Sequence, residues 1–321
     1  MSPKKHSKTN RSAAKRPPTK RPTTRRSNGS TSRRQVRGPA RRRRLWPVVA
    51  TVIVAAVAIV LAVRSGQSSG GSGPFVGGDL HSLVADPALP HRLYVGGHQG
   101  VGVSDDDGKT WRPVRSLDGA DAMGWAFAGT TVFQGGHPGL RLSADGTTFA
   151  GHNDGLPATD VHALGGTAGA IYAASPMAGF LASTDNGTTW ETRNPNFGRS
   201  FMGRILVDPA NSQRLVATDM EGGVVQSSDG GRAWKRLGRA QAGMWATWVG
   251  GNGSKLIVSG PDGAARTDNN GDSWTPVALP EGASLVEASP TDPNVLFAAG
   301  LSGSNARIWV SRNGGTTWRP T

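Results

Sequence analysis

Side chains that can bind a soft or borderline metal recur at regular intervals in this 321-residue chain. One series repeats at steps of about 40 residues and consists of His81, Met123, His162, Met202 and Met244. A second series lies six or seven residues before a repeated motif and consists of His98, His137, Met177 and Met220. Imidazole suits copper, zinc and nickel, whereas the methionine thioether selects Cu(I). Because copper accepts both donors, the sequence predicts a copper site built from these nine side chains.

The repeated motif has the form Ser-x-Asp-x-Gly-x-Thr-Trp, and Ser183 to Trp190 is its clearest copy. The other copies run from Ser104 to Trp111, Ser143 to Phe149 (one residue shorter), Ser227 to Trp234, Thr267 to Trp274 and Ser311 to Trp318. Asp, Asn and Gly suit a tight turn, and the closing aromatic is expected to anchor the outgoing strand. A spacing of about 40 residues between copies is typical of propeller blades.

Each repeat has the strand and turn pattern of one four-stranded blade, which predicts an all-β, six-bladed β-propeller. The blades are expected to begin near Asp79, Asp121, Asp160, Ser200, Ala242 and Gly282. Residues 75–78 are expected to complete the ring against the last blade. In such a ring the first strands line the central channel. Both metal-binding series should therefore meet at one mouth of the channel, with the motif turns on the opposite face.

The motif resembles the Asp-box, or BNR, repeat of sialidases, sortilin-type receptors and photosystem assembly factors. The resemblance covers residues 79–321 and implies that each box is a structural turn between the two outer strands of a blade. The GGHPG segment around His137 and the Asp-x-His-x-Leu segments at Asp79 and Asp160 are also similar to bacterial membrane-anchored BNR proteins labelled glycosyl hydrolases. Because a fold does not specify a function, the resemblance leaves the activity open.

Two alternatives to metal binding therefore stand beside it. Sialidases use a tyrosine nucleophile, but Tyr94 and Tyr172 occupy the same second-strand position in two repeats, which indicates packing. Glu221 and Asp121 are the weak candidates for catalytic acids of an exo-sialidase-like enzyme. The other alternative is a metal-free receptor for an extracytoplasmic protein or glycan.

The N-terminal region differs sharply from the repeats. Residues 1–44 contain 17 of the 36 Lys and Arg and no acidic residue, so the rest of the chain carries −3 of the total charge of +14. This composition predicts a disordered tail that can contact anionic lipid, while the acidic remainder makes nucleic acid an unexpected partner. The chain contains no cysteine, which excludes disulfides and thiolate metal sites.

An uncharged apolar run fills most of residues 45–64 and is long enough to span a bilayer as one helix. Four arginines precede it and only Arg64 follows, so the positive-inside rule predicts a signal anchor with a cytoplasmic N-terminus. Residues 65–74 are rich in Gly and Ser and are expected to form a flexible linker. The chain is thus predicted to be a single-pass protein of the cell membrane with a propeller, residues 75–321, outside.

This orientation predicts that protease added to intact cells digests residues 75–321 and leaves the basic tail intact. The measurement is an immunoblot with one epitope tag at each end of the chain. Release of a mature form that begins after Arg64 would contradict the anchor and show a cleaved signal peptide.

Overall fold

The structure is a computed structural model that describes residues 73–238, 243–251 and 253–321. These ranges contain 24 strands and one short 3-10 helix, Arg115–Leu117. The predicted basic tail, the signal anchor and nearly all of the linker lie outside the described residues. Within the described ranges, no helix is long and apolar enough to cross a membrane.

The strands form six groups of four, each paired antiparallel in chain order. Blades one to three contain β1 Leu80–Ala85, β2 Leu93–Gly97, β3 Val101–Ser104, β4 Arg112–Pro113, β5 Gly124–Ala128, β6 Thr131–Gly136, β7 Gly139–Ser143, β8 Ala150–Gly151, β9 Ala163–Thr167, β10 Ala170–Ser175, β11 Gly179–Ser183 and β12 Glu191–Asn194. Blades four to six contain β13 Phe201–Asp208, β14 Asn211–Asp219, β15 Gly223–Ser227, β16 Lys235–Arg236, β17 Trp245–Trp248, β18 Leu256–Gly260, β19 Gly263–Thr267, β20 Thr275–Val277, β21 Ala283–Ala288, β22 Leu296–Ser302, β23 Asn305–Ser311 and β24 Arg319–Pro320. The predicted all-β fold of four-stranded blades is confirmed.

The first strands of successive blades run in the same direction. Blades three and four even share one eight-stranded sheet, because β9 and β13 pair in parallel through Gly203 opposite Ala163. The first strands are mostly buried, whereas the short fourth strands are mostly exposed. This difference in burial places the apolar core between the blades, and it places the first strands around the axis of the channel.

The ring closes through residues before the first blade. Phe75 forms a β-bridge with Asn305 in the last blade, and Val76 N donates a 3.0 Å hydrogen bond to Ser304 O. Ala306 N donates in return to Pro74 O at 2.9 Å. The N-terminal segment therefore joins the last blade at the position expected for residues 75–78.

The Glu287 carboxylate links four blades near the axis of the channel. Its oxygens accept hydrogen bonds from Arg204 Nη1 at 2.7 Å, Trp245 Nε1 at 2.9 Å and Ala85 N at 3.4 Å. Those donors belong to blades four, five and one, and Glu287 belongs to blade six. Burial raises the pKa of Glu287 above its ordinary value, and the charge of Arg204 together with the N–H donors opposes that rise.

The Asp-box turns share one hydrogen-bond pattern. In blade three, Ser183 Oγ accepts from Gly187 N at 2.8 Å and donates to Asp185 Oδ1 at 2.7 Å, while Asp185 accepts from Thr189 N at 2.9 Å. The residue before the glycine adopts a left-handed conformation, with φ of 58° at Asn186. Such a backbone favours Asn, Asp and Gly, which explains why the motif has these residues before its glycine.

Contacts between turns fix the face on which the boxes lie. In blade one, Asp107 N in the box donates to His91 O in the loop between the first and second strands, at 3.1 Å. The box and that loop are therefore on one face, and the loops between second and third strands are on the other. The closing aromatics differ in burial from the expectation: Phe149 is buried, but the five tryptophans at the same position are only partly buried.

The box carboxylates should make the fold sensitive to acid. Hydrogen bonds from the threonine side chain and backbone lower the pKa of Asp106 and of Asp185 to about 2, and a backbone hydrogen bond from Ala233 lowers that of Asp229. A carboxyl group whose pKa is lower in the folded than in the unfolded chain stabilises the fold above the unfolded pKa. That stabilisation is lost as the pH falls toward the folded pKa. The relevant window therefore lies between about pH 4 and pH 2.

Blades five and six offer the matched replacement, because they carry Asn269 and Asn313 at the same position with the same backbone acceptor contact. We expect a triple variant with asparagine at positions 106, 185 and 229 to lose less of its melting temperature between pH 4 and pH 2 than the natural chain. Melting temperatures followed by circular dichroism at each pH test this. Parallel losses in the two proteins would contradict it.

Candidate metal centre

Four histidines and three aspartates from the first three blades meet at the channel mouth opposite the boxes. His81 is the second residue of β1 and His162 directly precedes β9. His98 and His137 lie in loops between second and third strands. A glycine before each loop histidine allows the approach. A Cβ at Gly136 would lie 1.6 Å from Asp121 O, and a Cβ at Gly97 would lie 2.0 Å from Asp79 O. The repeated Gly-Gly-His sequence thus brings each imidazole beside the aspartates.

The first group with metal-ligand spacing contains His81, His98 and Asp121. The buried imidazole of His81 lies between two carboxylates, with Nδ1 2.6 Å from Asp121 Oδ1 and Nε2 2.9 Å from Asp79 Oδ2. Burial lowers the pKa of His81, but the two hydrogen bonds and the two negative charges raise it overall above its ordinary value. Since both nitrogens donate to carboxylates in the imidazolium form, His81 has no lone pair available for a metal.

The second group contains His137, Asp160 and His162. Asp160 Oδ1 lies 2.8 Å from His137 Nε2 and 2.8 Å from His162 Nε2. These atoms are close, yet Asp160 Oδ1 and His162 Nε2 are both buried and neither has a partner with hydrogen-bond geometry. Buried polar atoms are nearly always hydrogen-bonded, so a buried donor and acceptor in ion-pair contact but without hydrogen-bond geometry need an explanation.

Asp121 orients His137, one of the three residues of this group. His137 Nδ1 lies 3.0 Å from Asp121 Oδ2, in a hydrogen bond that leaves Nε2 as the nitrogen with a free lone pair. A carboxylate that holds the far nitrogen of an imidazole is the usual arrangement around ligating histidines. Asp121 itself is buried, and although burial raises its pKa, the hydrogen bonds with His81 and His137 lower it overall. It is therefore a permanently charged acceptor at neutral pH.

The electrostatics of His162 also suit a ligand. Burial lowers the pKa of His162, and the nearby His137 lowers it further, against the opposing charge of Asp160. The net shift keeps the imidazole neutral at neutral pH, which is the form that binds metals. The two groups differ in this respect, because the two carboxylates raise the pKa of His81. The second group, His137, Asp160 and His162, is called the metal triad below.

The methionines of the predicted copper site are spread differently. Met202 is buried, Met123 and Met244 are partly buried, and Met177 and Met220 are 71% and 55% exposed. The contacts described for them are backbone hydrogen bonds, such as Met123 N to Gly135 O at 2.9 Å. The groups that the structure brings within ligand spacing consist of imidazoles and carboxylates. A role for the methionines in binding Cu(I) stays a prediction.

The residues considered for glycoside hydrolysis have other surroundings. Tyr94 and Tyr172 are buried in apolar clusters of the core, and Tyr172 Oη donates to Ser212 O at 3.1 Å. Glu221 is exposed in the turn between β14 and β15, where its backbone N donates to Asp219 Oδ1. Asp121 is engaged by histidines from two sides. Neither carboxyl group suits the role of a catalytic proton donor. The pKa of Asp121 is lowered, and Glu221 is exposed to solvent rather than enclosed in a site.

The structure places an oxygen of Asp160 among the ligand atoms, which the predicted set of histidines and methionines did not include. The signal was available in the Asp-x-His spacing, because residues i and i+2 of an extended segment project to the same side. Arg204 and the buried Glu287 were missed as a pair, since nothing in the repeat pattern links blades four and six.

Two solved structures with TM-scores above 0.5 support the fold. The GH74 xyloglucanase from Xanthomonas campestris is 18% identical over 78% of this chain and 46% of its own, with a TM-score of 0.52. The GH74 enzyme of Niastella koreensis is 16% identical over the same shares, with a TM-score of 0.55. YCF48 from Cyanidioschyzon merolae is 16% identical over 78% of this chain and 87% of its own, with a TM-score of 0.48.

The chain spans less than half the length of the two GH74 proteins. No protein-family model and no curated protein sequence matches it. At these identities the likeness defines one class, a β-propeller of the architecture found in GH74 enzymes, and it transfers no activity.

The geometry predicts opposite titration shifts for two histidines of the same mouth. We expect His81 to lose its proton at a higher pH than a free histidine, and His162 at a lower pH. Nitrogen-detected NMR of the imidazoles, assigned with single histidine variants, measures both. In an Asp121→Asn variant the pKa of His81 should fall, because one of its two carboxylate partners is gone. Equal titration of His81 and His162 would contradict the assignment.

Proposed function

We propose that this protein binds a divalent transition-metal ion at the mouth of its propeller channel, through the metal triad His137, Asp160 and His162. The observation that carries the proposal is the convergence of His162 Nε2, His137 Nε2 and Asp160 Oδ1 without hydrogen-bond geometry. A cation among these atoms would satisfy all three at once.

The donor types narrow the choice of ion. Two imidazoles and one carboxylate suit the borderline ions zinc and Cu(II), and Cu(II) binds such ligands more tightly than zinc. Three protein ligands also leave a coordination position for a further donor. The structure thus favours Cu(II) or zinc over the Cu(I) that the methionines suggested.

Glycoside hydrolysis receives less support from the same residues. The likeness to GH74 enzymes concerns the fold alone, and the chain spans 46% of their length. Asp121, the acidic candidate at the mouth, is bound by His81 and His137 and stays ionised.

A propeller outside the membrane, tethered by the predicted anchor, would present the metal triad to the extracytoplasmic medium.

Graded substitutions test the triad. We expect His162→Ala and His137→Ala to weaken binding of Cu(II) and zinc by roughly 100-fold or more. Asp121→Asn should weaken it by about 10- to 100-fold, as losses of such orienting carboxylates do. His91→Ala is the matched control, because His91 is exposed on the box face beside Asp107. Affinities are measured by competition with chelators of known strength, using the purified full-length protein.

Affinity should also fall as the pH drops below about 6.5, the ordinary pKa of histidine, because protons compete for the imidazole lone pairs. Unchanged melting temperatures without metal would show that the variants fold. The proposal fails if the natural chain binds neither ion more tightly than micromolar, or if the triad variants bind as well as His91→Ala.

A further inference from the structure

The opposite end of the channel, on the Asp-box face, contains a cavity of about 330 Å³. All six blades contribute the ends of their first strands to its wall. One lining residue from each blade is Ala85, Phe127, Thr167, Val207, Trp248 and Ala288. The metal triad lies where the first strands begin, and this cavity lies where they end. The volume is within the range of small-molecule sites.

The wall is apolar with one charged feature. Aromatic rings and prolines, including Trp125, Trp248 and Pro209, line its sides, and Arg204 and Glu287 also line it. The Arg204 side chain keeps 20% of its exposure, whereas the Glu287 side chain is 2% exposed. A concave apolar wall with a few placed polar groups is the usual form of a ligand pocket.

In the pair of Arg204 and Glu287, only Arg204 keeps hydrogen-bonding groups for a ligand. The Glu287 oxygens accept from Arg204, Trp245 and Ala85, so the carboxylate is engaged by three donors. Its described hydrogen bond with Arg204 uses only Nη1. A guanidinium carries five N–H groups in a fork that matches a carboxylate. Arg204 therefore has donors beyond those that Glu287 takes, and it is the more exposed member of the pair.

We propose that this cavity binds a small organic carboxylate with an apolar, ring-sized body, whose carboxylate group pairs with Arg204. The apolar walls accept the body, and the guanidinium selects the anion over a neutral compound. Trp245 Nε1 and Ala85 N also donate to Glu287, so Arg204 is not its sole donor and the remaining guanidinium N–H groups bind the ligand. The site is independent of the metal triad, since the two lie at opposite ends of the channel.

The test compares 2-naphthoate with the neutral 2-naphthamide as probes, by titration calorimetry on the purified full-length protein. We expect one naphthoate per chain, bound at least tenfold more tightly than the amide. Thr167→Phe should abolish binding of both probes, because the added ring fills the cavity. Glu287→Gln should bind naphthoate at least as tightly as the natural chain, since it removes the competing charge and keeps one acceptor oxygen for Arg204.

Arg204 is tested in the double variant Arg204→Met with Glu287→Gln, which avoids a buried carboxylate without its partner. This variant should bind the two probes equally. Arg115→Gln is the matched control for charge, because the Arg115 side chain is 79% exposed and has only a 3.4 Å contact with Asp118. His162→Ala should also keep naphthoate binding, which separates this site from the metal triad. Equal binding of acid and amide by the natural chain, or no binding of either, would overturn the proposal.

Discussion

The propeller depends on one buried carboxylate. Glu287, from the last blade, accepts hydrogen bonds from blades one, four and five, so four of the six blades meet at its two oxygens. Loss of Arg204 alone would leave that carboxylate buried without a counter-charge, at a cost of about 3–5 kcal/mol. The pair also lines the apolar cavity where the first strands end, whereas the metal triad lies at the mouth where they begin.

The two faces of the ring differ in sequence because the repeated motif constrains the turns on only one of them. In every blade the box residues form the same turn. In blade three, Ser183 and Asp185 accept hydrogen bonds from backbone N–H groups, as their counterparts do in the other copies. The loops on the opposite face have no such common requirement, so each blade can carry different chemistry there. Blades one to three use that freedom to gather imidazoles and carboxylates, and blades four and five place Met220 and Asp262 in the corresponding loops.

The sequence predicts the repeat better than the site. The spacing of the boxes is sufficient for the strand order and for the face on which His81, His137 and His162 lie, because each follows from a pattern repeated six times. Their division into two unlike groups depends on individual contacts: carboxylates bind both nitrogens of His81, whereas His162 Nε2 has no hydrogen bond. The contact between His81 and Asp121 joins residues 40 positions apart, and the pairing of Arg204 with Glu287 spans 83. The contact of His81 with Asp79 follows the Asp-x-His spacing, but no local pattern encodes the two longer contacts.

The most direct test of the metal triad is anomalous diffraction from crystals of the protein soaked separately in zinc and Cu(II), with data collected on both sides of the absorption edge of each metal. The account predicts a single strong peak at the channel mouth, within about 2.0 to 2.2 Å of His137 Nε2, His162 Nε2 and an oxygen of Asp160. A peak at His81 and His98, a peak at the exposed methionines, or no peak at the mouth would contradict it.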